Sequence, residues 1–313
     1  MGDALARRMA RGSSDPSYDD GSMHDAAAAA MIWAEPRDFE GERKSMALAE
    51  THEVLRDATT PNAPQSKLTK LKEIVRSGSY QDSFGVRTIE ANVLLNEIDF
   101  LYDIVSQNGF TQCLDIGVAT GVSYAAMAAA IDAGASPGVL YGVDPYQVTR
   151  FQESAVRLCA LLDLPCHGVI AEKTLYATAK IRSIVSDLNR PELDFAFIDG
   201  WHAFDTTLVD FLLVDDMLRD GGVIAFHDCY YPSKLKVIRF ALRHRDYELM
   251  RTVAQPRFSA PLRAARLLRN LKTNPHSAFD LNYWRFNVKT DSSIICIRKR
   301  SDKKPKYNFF KRF

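Results

Sequence analysis

Short apolar runs alternate with longer amphipathic stretches through the middle of this 313-residue chain. Each run has the length of a buried strand, and the stretches between runs keep apolar residues at helical spacing. This alternation is typical of a doubly wound α/β fold, in which helices cover both faces of a mostly parallel sheet. The first five predicted strands lie at residues 113–115, 139–144, 167–172, 193–199 and 221–228.

The first strand runs into a turn with two glycines and then into an alanine-rich helix. The spacing is Asp-x-Gly-x-x-x-Gly, formed by Asp115, Gly117 and Gly121. Glycine lets a ligand approach the backbone closely, and the helix start offers unpaired N–H groups. A dinucleotide fold would instead carry Gly-x-Gly-x-x-Gly for a pyrophosphate. A carboxylate here repels a pyrophosphate but suits a cationic sulfonium with an amino group, which points to S-adenosylmethionine.

Acidic residues also end the four later predicted strands. Asp144 comes 23 positions after Gly121, where an acid can accept hydrogen bonds from both ribose hydroxyls. Glu172, Asp199 and Asp228 end later strands. Because ligands of such sheets bind outside the carboxyl ends of the strands, we expect these acids around one crevice.

On these motifs, residues 88–253 with a closing strand near 293–299 resemble class I S-adenosylmethionine-dependent methyltransferases. The block Phe197–His202, followed by Leu218–Asp228, is similar to small-molecule O-methyltransferases of the catechol, caffeoyl-CoA and macrolide-sugar types. The resemblance implies a Rossmann-like sheet of seven strands. Its sixth strand would lie at 247–253, and the seventh, at 292–298, would be inserted antiparallel.

The resemblance also implies roles for individual residues. Asp115 and Gly117 would contact the methionine part of the cofactor, Asp144 the ribose, and Ala171 with Glu172 the adenine. The full set of expected cofactor-binding residues is Asp115, Gly117, Gly121, Ser123, Asp144, Ala171, Glu172 and Asp199.

The acceptor chemistry is expected at the ends of the fourth and fifth strands. Methyl transfer is an in-line displacement, so the protein must position the acceptor and lower its proton affinity. His202 and Asp199 are the candidate catalytic residues, with the imidazole as general base. Alternatively, Asp199 and Asp228 bind a divalent cation such as Mg²⁺ that acidifies a chelated hydroxyl.

Other interpretations of the same residues stay open. Cys229 stands where catechol-type enzymes carry a further oxygen ligand, and a thiol is a poor Mg²⁺ ligand. His202 can simply cap the helix that starts near Phe204, and Asp228 can be a turn carboxylate bonded to local amides. By strand alternation, His227 is expected to face away from Asp228.

The segment before the first cofactor strand is predicted to be helical. Residues 67–77 form a shorter predicted helix, and 88–105 keep apolar residues at helical spacing. Tyr80–Arg87 would then be a lid over the crevice. We interpret Glu90 as an acid in the first turn of the second helix rather than as a cofactor contact.

Composition narrows the class of protein. Lys and Arg number 40 against 39 Asp and Glu, so net charge gives no sign of nucleic-acid binding. Five cysteines without a Cys-x-x-Cys pair favour a reduced, cytoplasmic chain with buried thiols. The apolar run 26–34 is too short to span a bilayer, so no membrane partner is expected.

The two ends of the chain differ in charge. Residues 255–313 hold 15 Lys and Arg against 3 Asp and Glu, whereas residues 1–60 are acidic. The basic end could contact RNA, although a solvated tail is the simpler interpretation. The expected organisation is an extension at 1–66 that is partly disordered and ends in a linker, a helical cap or lid at 67–110, a methyltransferase domain at 111–300 with an insertion at 255–291, and a basic tail at 301–313.

The leading hypothesis is therefore an S-adenosylmethionine-dependent enzyme that O-methylates a hydroxylated small molecule or sugar and can form a homo-oligomer. An N-methyl acceptor is also considered. The alternative is an RNA-modifying or RNA-binding protein that uses the basic carboxyl-terminal segment. A nicotinamide oxidoreductase is disfavoured by the glycine spacing.

Overall fold

A seven-stranded mixed sheet organises the part of the chain that the structure describes. The computed structural model describes residues 63–90, 93–166, 168–187, 192–254 and 292–311, with residues 265, 268 and 272. The predictions for the amino-terminal extension and for most of the insertion lie outside these residues.

Seven helices and nine strands follow one another in the described residues. The helices are α1 (Ala63–Ser77), α2 (Leu95–Asn108), α3 (Val122–Asp132), α4 (Ser154–Leu161), α5 (Thr174–Asp187), α6 (Phe204–Met217) and α7 (Pro232–His244). The strands are β1 (Ser79–Asp82), β2 (Gly85–Thr88), β3 (Gln112–Ile116), β4 (Val139–Val143), β5 (Val169–Ile170), β6 (Leu193–Ile198), β7 (Leu218–Phe226), β8 (Asp246–Ala254) and β9 (Ser292–Ser301).

The main sheet has the strand order β5-β4-β3-β6-β7-β9-β8. The first five of these strands are parallel, and β9 pairs antiparallel with both β7 and β8. The predicted mostly parallel sheet with an inserted antiparallel last strand is therefore confirmed. Since β3 lies between β4 and β6, the residues that follow these three strands meet at one edge of the sheet.

Alternation along the strands divides the core into two layers. Phe195 and Phe197 of β6 belong to the layer that includes α1, α2, α3 and α4, whereas Ala196 and Ile198 belong to the layer that includes α5, α6 and α7. Helices thus cover both faces, as the pattern of the sequence predicts. In the described residues, no helix combines the length and apolar character needed to cross a membrane.

The segment before the sheet differs from its prediction. Residues 79–88 form the β1–β2 hairpin, and α2 begins only at Leu95, not at residue 88. Helix α2 starts there because the Leu94 N–H donates to Glu97 Oε2 at 2.7 Å, which satisfies a backbone donor at the helix end. Glu90 lies before the helix and pairs with Arg150 at 2.9 Å, so its interpretation as a first-turn acid is wrong.

Three other boundaries move as well. Helix α1 begins at Ala63, inside the predicted linker, and β5 spans only Val169–Ile170 of the predicted 167–172. Strand β7 begins at Leu218, before the glycine pair that was expected to start it.

Candidate active site

The two glycines after β3 are required by close packing of the chain itself. Gly117 and Gly121 have φ values of 91° and 92°, in the left-handed region that favours glycine. A Cβ at position 117 would lie 2.4 Å from the carbonyl oxygen of Asp199, and one at position 121 would lie 2.4 Å from the Cα of Ala155. The loop is therefore pressed between the end of β6 and the start of α4.

Between the glycines, Ala119 ties the loop to the end of β4. Its N–H donates to Asp144 Oδ2 at 2.7 Å, and the Gln147 side-chain amide donates to its carbonyl at 2.6 Å. The Tyr146 N–H donates to the other oxygen of Asp144 at 2.8 Å. Each carboxylate oxygen can accept a second hydrogen bond, so Asp144 still has acceptors for hydroxyl groups.

Asp115 is fully buried beside this loop. Ser123, in the first turn of α3, donates its hydroxyl to Asp115 Oδ2 at 2.7 Å, and Oδ1 has no hydrogen-bond partner in the described structure. Burial raises the pKa of Asp115 to about 8, and the carboxylates of Asp199 and Asp144 act in the same direction. Near neutral pH the protonated form of this side chain is therefore favoured.

The predicted adenine residues lie at the far edge of the sheet. Ala171 is exposed directly after β5, and Glu172 forms an ion pair with Lys180 of α5. The structure thus brings Asp115, Asp144 and Asp199 to neighbouring strand ends, with Ala171 and Glu172 beyond Asp144. The cofactor roles of these residues stay predictions.

Asp199, His202 and Asp228 form a cluster of possible donor atoms. One atom from each lies within 4.8 Å of the other two, and His202 Nε2 is 3.3 Å from Asp228 Oδ2. Burial and the nearby Lys234 ammonium lower the pKa of His202, so the imidazole is neutral near pH 7. Two carboxylates and a neutral imidazole are a donor set that divalent metal ions accept.

The surroundings of the cluster decide between the open interpretations of its members. The His202 ring stacks on Tyr231 with centroids 5.0 Å apart, and α6 begins without a side-chain cap, so the capping interpretation of His202 is wrong. Cys229 is buried, donates its thiol to the Phe226 carbonyl at 3.0 Å, and has a pKa raised by burial. A protonated thiol is not a metal ligand, and His202, not Cys229, lies with the two carboxylates in the cluster of possible donors.

The orientation predicted for His227 is wrong. Its Nδ1 lies 2.9 Å from Asp199 Oδ1 and 3.6 Å from Asp228 Oδ1. Strand alternation does not apply, because β7 ends at Phe226 and Asp228 has a φ of 54°. Sequence reasoning therefore missed a histidine in direct contact with a candidate catalytic acid.

Glu97 of α2 is a second missed residue. Its Oε2 lies 3.2 Å from His227 Nε2, and both side chains are buried. Although burial opposes charge on both groups, their mutual contact lowers the pKa of Glu97, and Asp199 with Glu97 raises the pKa of His227 well above its usual value. The sequence did offer a sign of this contact, since Glu97 lies on the apolar face of α2. A carboxylate buried there requires a polar partner.

Comparison with known proteins identifies a family model within this chain. Residues 114–229 match the family model described as a methyltransferase domain, and this range includes every residue of the Asp199, His202 and Asp228 cluster. No relative was found among the curated proteins.

Several solved structures are similar at low sequence identity. An O-methyltransferase from Bacillus cereus, solved with SAH, has a TM-score of 0.48 and 12% identity, covering 77% of this chain and 93% of that chain. A cofactor-bound protein from MTB has a TM-score of 0.49 and 11% identity, covering 78% and 93%. The O-methyltransferase TomG from Streptomyces achromogenes, involved in tomaymycin synthesis and solved with SAM, has a TM-score of 0.44 and 15% identity, covering 74% and 89%.

Proposed function

We propose that this chain, which carries an S-adenosylmethionine-dependent methyltransferase domain, methylates a hydroxyl group of a small molecule or sugar at the cluster of Asp199, His202 and Asp228. The observation that carries the proposal is the convergence of these three donors within 4.8 Å, one strand away from the loop predicted to hold the cofactor. Such a cluster offers either a cation site or an imidazole base, and each of these favours loss of the proton of an alcohol or phenol.

The reaction itself defines what the site must do. The acceptor oxygen attacks the methyl carbon of the sulfonium, the carbon–sulfur bond breaks as the carbon–oxygen bond forms, and the thioether leaves. The hydroxyl proton must also leave. The chain's contribution is to hold both reactants in line and to favour loss of that proton.

We infer that Asp199, His202 and Asp228 hold a divalent cation. His202 Nε2 lies 3.3 Å from Asp228 Oδ2, and burial with the Lys234 ammonium lowers the pKa of His202, so the imidazole can offer a nitrogen lone pair near pH 7. A cation at this point would be bound by that nitrogen together with the two carboxylates. When bound, it lowers the pKa of a coordinated hydroxyl.

A second role for His202 is favoured by the same pKa. A neutral imidazole that is about one-third exposed can itself take the proton of an acceptor hydroxyl. The two roles exclude each other at Nε2, since a nitrogen lone pair bound to a metal cannot accept a proton. They therefore predict different responses to a chelator.

The test is methyl transfer to a panel of catechols, phenols and sugars, detected as a mass gain of one methyl group. Under the cation proposal, EDTA abolishes transfer and Mg²⁺ or Mn²⁺ restores it, and Asp228→Asn is inactive. Asp216→Asn, a surface carboxylate at the end of α6, is the matched control and should keep full activity.

The remaining outcomes are equally informative. Transfer that resists EDTA but is lost in His202→Ala supports the imidazole as base and contradicts the cation. Methylation of an amine in place of a hydroxyl contradicts the acceptor class. Binding of NAD in preference to S-adenosylhomocysteine in calorimetry would contradict the reaction itself.

A further inference from the structure

His227 is held between carboxylates from two different elements. Its Nδ1 faces Asp199 after β6, and its Nε2 faces Glu97 of α2. The exposed fractions of the His227 and Glu97 residues are 2% and 1%, so solvent does not compete for these contacts.

We propose that His227 and Glu97 are positioning residues for Asp199. They hold its carboxylate in the orientation that brings one oxygen within 4.8 Å of the His202 and Asp228 donors. This inference rests on the proposed function, because it gives Asp199 its role in that reaction. It adds His227 and Glu97 to the residues that support the reaction, and Glu97 lies outside the range 114–229 matched by the family model.

Asp199 needs such a partner because its own position does not fix its side chain. It is the first residue after β6 and is followed by Gly200, although its backbone N–H is held by the Ile116 carbonyl at 2.8 Å. An aspartate side chain has several staggered orientations about its first torsion. A hydrogen bond from the Nδ1–H of His227 favours one of them.

Glu97 in turn fixes the histidine ring. Its Oε2 accepts the Leu94 N–H at 2.7 Å, in the capping box that starts α2. The carboxylate is therefore anchored to the start of a helix. A rigid acceptor at Nε2 prevents the ring from rotating away from Asp199. In a metal site, partners of this kind typically change metal affinity about 10- to 100-fold when they are replaced.

Two substitutions of His227 separate the two contacts. The side-chain amide of His227→Asn lies near the position of Nδ1 and can still donate to Asp199. The amide of His227→Gln reaches the position of Nε2 and serves Glu97 instead. Both remove the ring, so packing is lost in each. The difference between them reports the contacts at Nδ1, which are 2.9 Å to Asp199 and a longer 3.6 Å to Asp228.

The measurements are crystal structures of the wild type and both variants, and Mn²⁺ affinity measured by electron paramagnetic resonance with S-adenosylhomocysteine present. We expect Asp199 to keep its orientation in His227→Asn and to leave it in His227→Gln. The dissociation constant of Mn²⁺ should rise about 10- to 100-fold in His227→Gln and about threefold or less in His227→Asn.

Controls separate positioning from general stability. Tyr247→Phe removes a buried hydrogen bond of 2.8 Å to the Asp215 carboxylate, away from the site. It should lower the melting temperature while leaving Mn²⁺ affinity unchanged. Glu97→Gln preserves the volume at the other end of the contact and should weaken Mn²⁺ binding in the same direction, which keeps the test open if a His227 variant does not fold.

An unmoved Asp199 in the crystal structure of His227→Gln overturns the proposal, as does equal Mn²⁺ affinity in the two His227 variants. Failure of the wild type to bind Mn²⁺ contradicts the cation part of the proposed function instead. In that case the orientation of Asp199 in the crystals still decides the role of His227.

Discussion

Burial changes the chemistry of single residues at this site. Asp115 follows the motif expected for a cofactor acid, yet its raised pKa keeps it protonated near neutral pH in the ligand-free protein. An amino group of the cofactor would favour the ionised form, because opposite charges attract strongly where water is excluded. We therefore expect binding of the cofactor and loss of a proton to be coupled at this residue.

We predict that binding of S-adenosylhomocysteine releases a proton from Asp115. Below a pH of about 8 the free protein holds this proton, and contact with a cationic amino group lowers the pKa, so release is expected near pH 7 and fades as the pH rises past 8. Calorimetry in phosphate and in Tris buffers, whose ionisation enthalpies differ, measures the release. Asp115→Asn should lack it, and equal release in that variant would contradict the assignment.

The same pKa predicts the sign of a stability change. Because the folded pKa of Asp115 lies above its value of 3.8 in the unfolded chain, the unfolded state holds fewer protons between these limits. The contribution of Asp115 to stability therefore falls as pH rises from about 4 to about 8. The melting temperature of Asp115→Asn should depend less on pH over this range than that of the wild type.

The sequence was sufficient to predict candidate site residues that are marked by their own neighbours along the chain. Asp115, Asp144 and Asp199 each end an apolar run, and their meeting at one edge follows from strand order alone. Glu97 and His227 could not be paired in this way, since 130 positions separate them and nothing local to either residue indicates the other.

Among the elements, α4 and the β1–β2 hairpin together support the glycine loop 117–121, which is predicted to hold the cofactor. The start of α4 packs against Gly121, and Ser154 Oγ donates to the Ala119 carbonyl at 3.4 Å. Behind it, the Tyr80 hydroxyl of β1 donates to the Ser154 carbonyl at 3.3 Å. The hairpin that was predicted as a lid thus contacts the element that shapes the loop.

We predict that Gly121→Ala lowers cofactor affinity by tenfold or more. The new Cβ would meet the Ala155 backbone, which cannot give way as a flexible side chain can, so α4 must move away from the loop. Calorimetry with S-adenosylhomocysteine measures the effect.

Gly109→Ala is the matched control for this change. Position 109 has a φ of 61° but no atom within 4 Å of the added Cβ, so the substitution introduces backbone strain without a clash. It should destabilise the protein by about 1 kcal/mol and leave cofactor affinity unchanged. Equal affinities in the two variants would show that packing against α4 does not shape the loop.

Helices and strands were predictable from the sequence where burial produces a clear pattern of apolar residues. Their prediction was uncertain where most positions are exposed. Strands β3, β4 and β6 are mostly apolar and almost entirely buried, and they were found at or within a few residues of their predicted bounds. The β1–β2 hairpin has polar residues at most positions and exposes Val86, so its residues carry no clear apolar alternation.

For the whole molecule, part of the basic carboxyl-terminal segment is used in packing. The Lys299 ammonium is buried and donates to the carbonyls of Asp215 and Leu218 at 2.7 and 2.9 Å. Lys304 lies 3.2 Å from Asp216 of α6. These cations are engaged with the end of α6 and the start of β7, which gives the charge of this segment a structural role.

We predict that Lys304→Ala and Lys306→Ala differ in stability. Lys304→Ala removes a surface ion pair worth up to about 1 kcal/mol of stability, whereas Lys306→Ala, at an exposed side chain, should leave stability unchanged. Chemical unfolding measures both. If the segment bound RNA, each substitution would instead weaken RNA affinity and reduce the dependence of that affinity on salt concentration, and both would do so to a similar extent. That result would favour the alternative function.

The contact between Glu97 and His227 also bears on how this protein can be shortened. A fragment cut to residues 111–300, the range expected from its motifs, would retain the glycine loop and all three donors of the cluster. It would lack helix α2, and with it the glutamate that faces His227 from beyond the matched range. The smallest fragment worth testing for turnover therefore starts upstream of Leu94, and loss of turnover in shorter pieces would not show that their remaining residues are misplaced.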